Sequence, residues 1–272
     1  MTPPTFVTDF HSHLMPGVDD GAQEPADSTA ALGRFRAEGV AQIITTPHFM
    51  GSLSLDAAKL EARLAELETG WEALRAVVAA DGEKMGGALR VERGVEVMLD
   101  VPDPDLSDAR LRLAGGPFVL VEYPMLRLPP VNAEFALVEL RSRGWIPVVA
   151  HPERYRNLDP TLAELPRFRR AGAYLQMNAG SLFGDYGKTA AGYARHILMA
   201  GEADYIGSDY HARGEPGIQR FVRALADAGF SEQAELLTMV NPARLLAGEP
   251  PLRVPPIQMK TESRSLWERL FG

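Results

Sequence analysis

The sequence contains no cysteine. That one absence removes structural disulfides, thiolate-ligated zinc and every mechanism that needs a thiol nucleophile. No apolar run approaches the roughly 20 residues needed to span a bilayer. The first residues, Met1-Thr2-Pro3-Pro4-Thr5, have neither the basic region nor the apolar core of a secretory signal. Positive charge is in deficit, with 28 Lys and Arg against 36 Asp and Glu, a net charge of −8. An extended nucleic-acid-binding surface is therefore disfavoured, although a local basic pocket is still allowed. The expectation from these absences is a cytoplasmic protein with no transmembrane segment.

What is present is ample material for a core: 272 residues, 46% hydrophobic and 24% charged. Residues 24–38 read as a helix stopped by Gly39, and residues 56–80 as a long helix with Leu60, Leu64, Leu67, Trp71, Leu74 and Val78 spaced by three and four. Further helices are expected over 132–142, 162–171, 188–199, 216–228 and 232–246. Strands are expected after Phe6-Val7 and over 41–45, 89–97, 118–121, 146–150, 173–177 and 203–207. Seven strands mostly separated by helices predict an α/β fold whose parallel βα units close into a barrel-like sheet. No internal repeat and no composition shift marks a second globular unit. Residues 1–249 are expected to form the barrel. Residues 250–272 are expected to be a Pro-rich linker (Pro250, Pro251, Pro255, Pro256) and a short amphipathic tail, with Leu266, Trp267, Leu270 and Phe271 on one helical face. That face either docks on the barrel or meets a partner or a membrane surface.

The ionisable residues are not spread evenly. Asp9, His11 and His13 alternate along the first strand, so they share a face, and after the Pro16-Gly17 turn come Asp19 and Asp20. Of six histidines, His11, His13, His48, His151 and His211 all fall at predicted strand ends, while His196 sits mid-helix and reads as structural. Glu96 and Glu122 lie at the ends of apolar strands, where a bare carboxylate is expensive to bury unless paired or metal-bound. Asp209 and His211 repeat the alternation of the first strand. βα barrels build their sites at strand C-terminal ends. A mixed imidazole and carboxylate set without thiolate suits manganese, iron or zinc.

In chain order these elements are His-x-His with a following acidic residue, Thr46-Pro47-His48, an isolated Glu96, His151-Pro152-Glu153-Arg154 and Ser208-Asp209-Tyr210-His211. So arranged, they resemble the polymerase and histidinol phosphatase (PHP) superfamily over roughly residues 6–246. Within it, Asp9 to His13 with Asp19-Asp20-Gly21, Glu122-Tyr123-Pro124 and His151 to Arg154 resemble the bacterial manganese-dependent protein-tyrosine phosphatases of capsule and exopolysaccharide loci. The resemblance implies a distorted (β/α)7 barrel with three divalent metal ions, manganese first and iron or zinc as alternatives. Carried over by motif, the first ion takes His11, His13, Glu96 and Asp209. The second shares Glu96 and adds Glu122 and His151, and the third takes Asp20, His48 and His211. Asp9 is expected to support a ligand imidazole rather than to be a ligand.

Such a cluster lowers the pKa of a bound water from about 15.7 toward 7 and neutralises phosphoryl oxygens. Arg154 and Arg213, just past His151 and His211, are the expected phosphate-gripping arginines, since a guanidinium binds in a two-pronged way that lysine cannot. Asp19 and Glu153 are the candidate general acids. The resemblance implies hydrolysis of phosphotyrosine on a cognate bacterial tyrosine kinase that controls polysaccharide export. The alternatives are a small-molecule phosphatase of the histidinol-phosphate type, a PHP-type exonuclease, which the negative charge disfavours, and a metal-stabilised interaction module.

Overall fold

The computed structural model describes residues 6–129 and 131–257. The expected amphipathic tail at 266–271 lies outside the described residues.

The chain begins with β1 (Thr8–Ser12), buried throughout, and turns into α1 (Pro25–Ala37). Pro25 opens the helix, and Asp27 accepts hydrogen bonds from the backbone N–H of Gln23 and Glu24, satisfying donors that no helical carbonyl reaches. Next come β2 (Gln42–Thr45), β3 (His48–Met50) and α2 (Ala57–Met85). Asp56 caps α2 by accepting from Ala58 and Lys59, and Gly86 ends it in the left-handed conformation. The expected end near Ala80 is five residues short. The helix runs on through Gly82, where a Cβ would stand 2.8 Å from the Ala88 Cβ, so the glycine admits the returning chain rather than ending the helix.

The remaining elements are β4 (Arg90–Arg93), β5 (Glu96–Met98), β6 (Phe118–Glu122), α3 (Phe135–Ser142), β7 (Ile146–Ala150), α4 (Glu164–Arg170), β8 (Tyr174–Asn178), α5 (Lys188–Ala200), β9 (Tyr205–Gly207), α6 (Ile218–Asp227), α7 (Ser231–Glu235) and α8 (Asn241–Leu246). The helix expected over 232–246 is interrupted by a π-helical turn, Leu236–Val240. Pro242 near the start of α8 has no N–H to give, and the wider turn before it absorbs the missing hydrogen bond.

Every strand pair is parallel, in a three-stranded sheet of order β1-β2-β4 and a six-stranded sheet of order β3-β5-β6-β7-β8-β9. Among the described residues nine strand segments thus stand where seven were expected. The difference has a local cause: Thr46-Pro47 separates β2 from β3, and Gly94-Val95 separates β4 from β5. Proline cannot donate to a ladder, yet pairing is carried over the break by Gly94 N–H to Thr45 O and Glu96 N–H to Pro47 O, each 3.0 Å. Beyond β9 the chain meets β1: Asp209 N donates to His11 O (2.8 Å) and His13 N to Tyr210 O (2.9 Å). The architecture is a mixed α/β domain of parallel sheets.

A large apolar core lies between strands and helices, with Ile43, Val97, Val119 and Leu175 meeting Leu32, Phe35, Leu64, Phe168, Ile197 and Phe221. A smaller one contains Phe10, Phe118, Leu120, Val148, Ala150 and Tyr205, with Phe10 stacked on Tyr205 at 4.6 Å. Phe118 and Leu120 share a face of β6 with Glu122, because side chains alternate along a strand. That face is apolar where the strand begins and ionisable where it ends. After α8 the chain turns at residues 247–248 and runs without regular secondary structure to residue 257, with Val254 and Ile257 buried in the large core.

α1 also reaches the last strand end. Phe35, fully buried, packs edge-on against Tyr210 (5.4 Å), and Arg34 donates to the Tyr210 hydroxyl at 2.5 Å. Phe35→Ala is expected to lower the unfolding free energy by about 3–5 kcal/mol, read from urea denaturation. A loss below 1 kcal/mol would show that α1 does not secure this end of the molecule.

Candidate metal centre

The loop after β1 is folded back by two glycines. Gly17, at φ +69°, makes the turn that Pro16 begins, and a Cβ at Gly21 would fall 2.2 Å from the His13 carbonyl oxygen. With only hydrogen there, Ala22 N–H reaches His13 O (3.0 Å) and the loop carries Asp19 and Asp20 onto the histidines. Two other candidate residues stand on left-handed backbone that side chains rarely adopt: His151 (φ 32°) after β7 and Asp209 (φ 53°) after β9. Each such residue costs about 1–3 kcal/mol and persists only where its surroundings over-determine it.

The candidate residues converge into three overlapping groups. In the first, His11 Nε2 lies 3.2 Å from His13 Nε2, 3.2 Å from Glu96 Oε2 and 3.6 Å from Asp209 Oδ1. His13 Nε2 lies 3.6 Å from Glu96 Oε2 and 3.5 Å from Asp209 Oδ1. The second consists of His48, Glu96 and Glu122, with His48 Nδ1 3.1 Å from Glu96 Oε2 and 3.6 Å from Glu122 Oε1. His151, expected with this pair of carboxylates, falls in none of the three groups, although its Nε2 meets the other Glu96 oxygen at 2.9 Å. In the third, Asp20 Oδ1 is 3.5 Å from His48 Nε2 and 3.3 Å from His211 Nε2, and the His13 and His211 rings stack at 3.9 Å. Glu96 joins the first two groups. His13 and His48 stand at the edge of the third, His48 offering one ring nitrogen to each side.

Donor atoms so spaced fit a cation. Four ligands at about 2.1 Å from a tetrahedral ion stand about 3.4 Å apart, close to the 3.2–3.6 Å separations in the first group. Glu96 is fully buried, yet its Oε2, ringed by imidazole nitrogens, has no hydrogen-bond partner. A buried carboxylate oxygen surrounded by nitrogen and satisfied by none of it is what a coordinated oxygen leaves behind.

The electrostatics point the same way. Burial opposes ionisation of Glu96, but the charge of His11 and the close approach of the His11, His151 and His48 imidazoles override it and hold the carboxyl well below its usual range. Burial also works against protonation of His11, which Glu96 and Asp209 nevertheless push up to about 9. Glu122, desolvated and facing Glu96, is raised to about 8. Burial lowers His151 and His211 instead, so the pull on positive charge centres on Glu96 and Asp209, and a field that draws a proton onto buried His11 also draws a divalent cation there.

The side chains that orient the imidazoles are mostly ones that the motifs did not identify. His13 Nδ1 meets Asp19 Oδ2 at 2.7 Å, and the same oxygen accepts from His48 N–H at 3.0 Å. His11 Nδ1 meets Gln176 Oε1 at 3.0 Å. Gln176 donates to Asn178 Oδ1, and Asn178 donates to Asp209 Oδ2, both at 2.9 Å. Gln176 and Asn178 alternate at the end of β8, so two amides at a strand's C-terminal end were the available signal. The contact expected between Asp9 and an imidazole is not among the hydrogen bonds of the described residues. Asp9 accepts instead from Ser208 N–H (2.7 Å), and burial raises its carboxyl to about 7.

The two candidate acids stand in different surroundings: burial raises the Glu153 carboxyl to about 7, whereas Asp19 is held down. Burial alone would raise Asp19, but His13 and the backbone donors outweigh it, so the carboxyl lies below its usual range and stays ionised. Glu153, almost fully buried, accepts from Asn178 N–H (2.9 Å) and Ser181 Oγ (2.7 Å) and faces inward. Arg154 donates to Asp209, and its guanidinium lies over the Tyr186 ring, 4.3 Å from the centroid. Arg213 is exposed and donates to the Asp20 carbonyl at 3.3 Å.

The family described as "Capsular polysaccharide synthesis, CpsB/CapC" matches residues 7–247. The tyrosine-protein phosphatase YwqE of Bacillus subtilis is 28% identical over 214 residues, 75% of this chain and 77% of that protein. The tyrosine-protein phosphatase CpsB of Streptococcus pneumoniae is 25% identical over 249 residues, 88% of this chain and 98% of that protein. Among solved structures, one from work on YwqE of Bacillus subtilis and CpsB of Streptococcus pneumoniae, described as unique metal-dependent tyrosine phosphatases, superposes with a TM-score of 0.74. It is 28% identical, and the match covers 93% of this chain and 99% of that one.

Asp19→Asn keeps the shape of the side chain but removes the charge that orients His13. It is expected to weaken manganese binding about 10–100-fold in a calorimetric titration, with the circular dichroism spectrum unchanged. Undiminished affinity would remove Asp19 from the support of the centre.

Proposed function

The chain belongs to the capsular polysaccharide synthesis family CpsB/CapC, and on that premise we propose that it hydrolyses phosphotyrosine on protein by metal-dependent chemistry. The observation that carries the reading is the convergence of imidazoles and carboxylates from the ends of β1, β6, β7 and β9 and from the breaks in the two interrupted strands, with Arg154 beside them. A chain without cysteine has no thiolate to attack phosphorus, so the nucleophile must come from elsewhere.

We place three divalent ions, manganese by preference, as the resemblance implies. His11, His13, Glu96 and Asp209 hold the first, Glu96, Glu122 and His151 the second, and Asp20, His48 and His211 the third. When bound, such ions acidify water toward neutrality and offset phosphoryl charge. The protein's own side chains do the rest. Asp19 and Gln176 hold the His13 and His11 rings in place. Arg154, tied to Asp209, presents its remaining N–H groups to the phosphoryl oxygens, and Arg213 provides a second cation at the mouth. A tyrosyl leaving group has a pKa near 10 and departs with little help, which suits a centre whose nearby carboxylates are engaged as acceptors.

The scaffold we propose is one distorted (β/α)7 barrel, residues 1–249, with 250–272 as an extension. Supporting it are the pairing carried across the β2–β3 and β4–β5 breaks and the hydrogen bonds between β1 and the end of β9. The partner is a phosphotyrosine-bearing bacterial tyrosine kinase of capsule or exopolysaccharide synthesis, and the setting is cytoplasmic. Relatives that are tyrosine-protein phosphatases of a capsule-synthesis family support the partner, and among the described residues no helix is long and apolar enough to cross a membrane.

Manganese-loaded protein is expected to turn over a phosphotyrosine peptide far faster than histidinol phosphate or single-stranded DNA. Rapid turnover of histidinol phosphate with the peptide untouched would overturn the reading. His11→Ala and His151→Ala are expected to lose metal and activity together. Arg154→Ala is expected to keep its metal and to lose about 100–1,000-fold in kcat/KM, so metal content and turnover measured on the same preparations separate the two roles.

A further inference from the structure

Beside the metal centre lies a cavity of about 410 Å³, walled by Leu126, Arg154, Arg156, Tyr186, Thr189 and Ala190 among others. Its volume is that of a small-ligand pocket. Arg154 belongs to both places, donating to Asp209 on one side and lying over Tyr186 on the other. A phosphoryl group that reaches Arg154 thus lies next to this cavity.

The lining is electropositive on a chain of net charge −8. Arg156 is exposed, and none of the described residues pairs with its guanidinium. Glu153, the acid in the wall, directs its carboxylate inward to Asn178 and Ser181. Thr189 and Ala190 come from the first turn of α5, whose N-cap is Gly187 and whose end no side chain caps. The leading N–H groups of that thirteen-residue helix have no helical acceptor, and the end of a helix where they gather favours negative charge.

The opposite wall is rigid. Arg156 N–H donates to Leu126 O (2.9 Å), and Asn157 and Leu128 exchange two hydrogen bonds of 2.9 and 3.0 Å. Met125 and Leu126, beside the tie, both stand in the left-handed region at φ 54°. Two consecutive non-glycine residues held there mark a wall kept in one shape.

We propose that this cavity is a second substrate subsite, which takes an acidic side chain of the peptide next to the phosphotyrosine and pairs it with Arg156. The inference rests on the phosphatase reading and deepens it, assigning to this chain a preference that a phosphate-binding centre alone would not have.

The test uses two phosphotyrosine peptides that differ only in the residues flanking the phosphotyrosine, glutamate in one and alanine in the other. The full chain loaded with manganese is expected to favour the acidic peptide about three- to tenfold in kcat/KM. The same order is expected in anisotropy binding of the corresponding non-hydrolysable phosphonate peptides. Arg156→Glu should abolish or invert that ratio and Arg156→Lys should largely keep it; because a ratio is read, partial loss of folded protein cancels. An equal ratio in wild type and Arg156→Glu, with the alanine peptide still hydrolysed, overturns the subsite and leaves the phosphatase standing. Turnover of neither peptide by the metal-loaded wild type overturns the phosphatase reading and the subsite with it.

Discussion

One buried carboxylate governs the arrangement. Glu96 is completely shielded from water and faces His11, His13, His48 and His151. An isolated carboxylate at such a position is too costly to keep ionised, and four imidazoles around a bare anion exchange one desolvation problem for several. Positive charge resolves both at once, as protons on the rings or as cations between them. Since the first two groups share Glu96 and the third is joined to them through His13 and His48, they act as one electrostatic unit, and a change at any ligand reaches the others.

Holding that unit together is the task of the polar side chains around it and of the backbone beneath. Asp19 ties His13 to the strand end that bears His48, and the Gln176–Asn178 relay ties His11 to Asp209. His151 and Asp209 keep left-handed backbone, a cost that the buried strands behind them sustain. The same dependence gives Arg154 its place: bound to Asp209 and lying over Tyr186, it separates the metal-binding groups from the cavity beyond. In a CpsB/CapC-family chain, phosphate recognition and peptide recognition would thus meet at one guanidinium.

Much of this was legible in the chain. Period-two alternation put His11 with His13, and apolar runs ending in Glu122 and in His151 put those residues at strand tips, because a parallel strand is apolar until it leaves the sheet. Helix positions followed from spacings of three and four, and most ends from glycine. Legibility failed where a local signal was ambiguous. Gly82 looks like a stop but serves a close approach of Ala88, and Thr46-Pro47 looks like a strand end but only interrupts a ladder that continues. Asp20 was placed with His48 and His211 by the motif resemblance and faces both, but nothing in the chain told that its neighbour Asp19 accepts from His13.

The sequence by itself determined the class of fold and the chemistry. A chain lacking thiols, with alternating β and α patterns and with imidazoles and carboxylates at the strand ends, has few other ways to place those groups. Only the tertiary structure decided which carboxylate is shared, which side chain orients each imidazole, and that the arginine after His151 borders a second cavity. Those relations join residues as far apart as His11 and Gln176, or Arg154 and Asp209, and no periodicity along the chain encodes them. They exist only once β1 lies beside the end of β9 and β8 presents its amides to both.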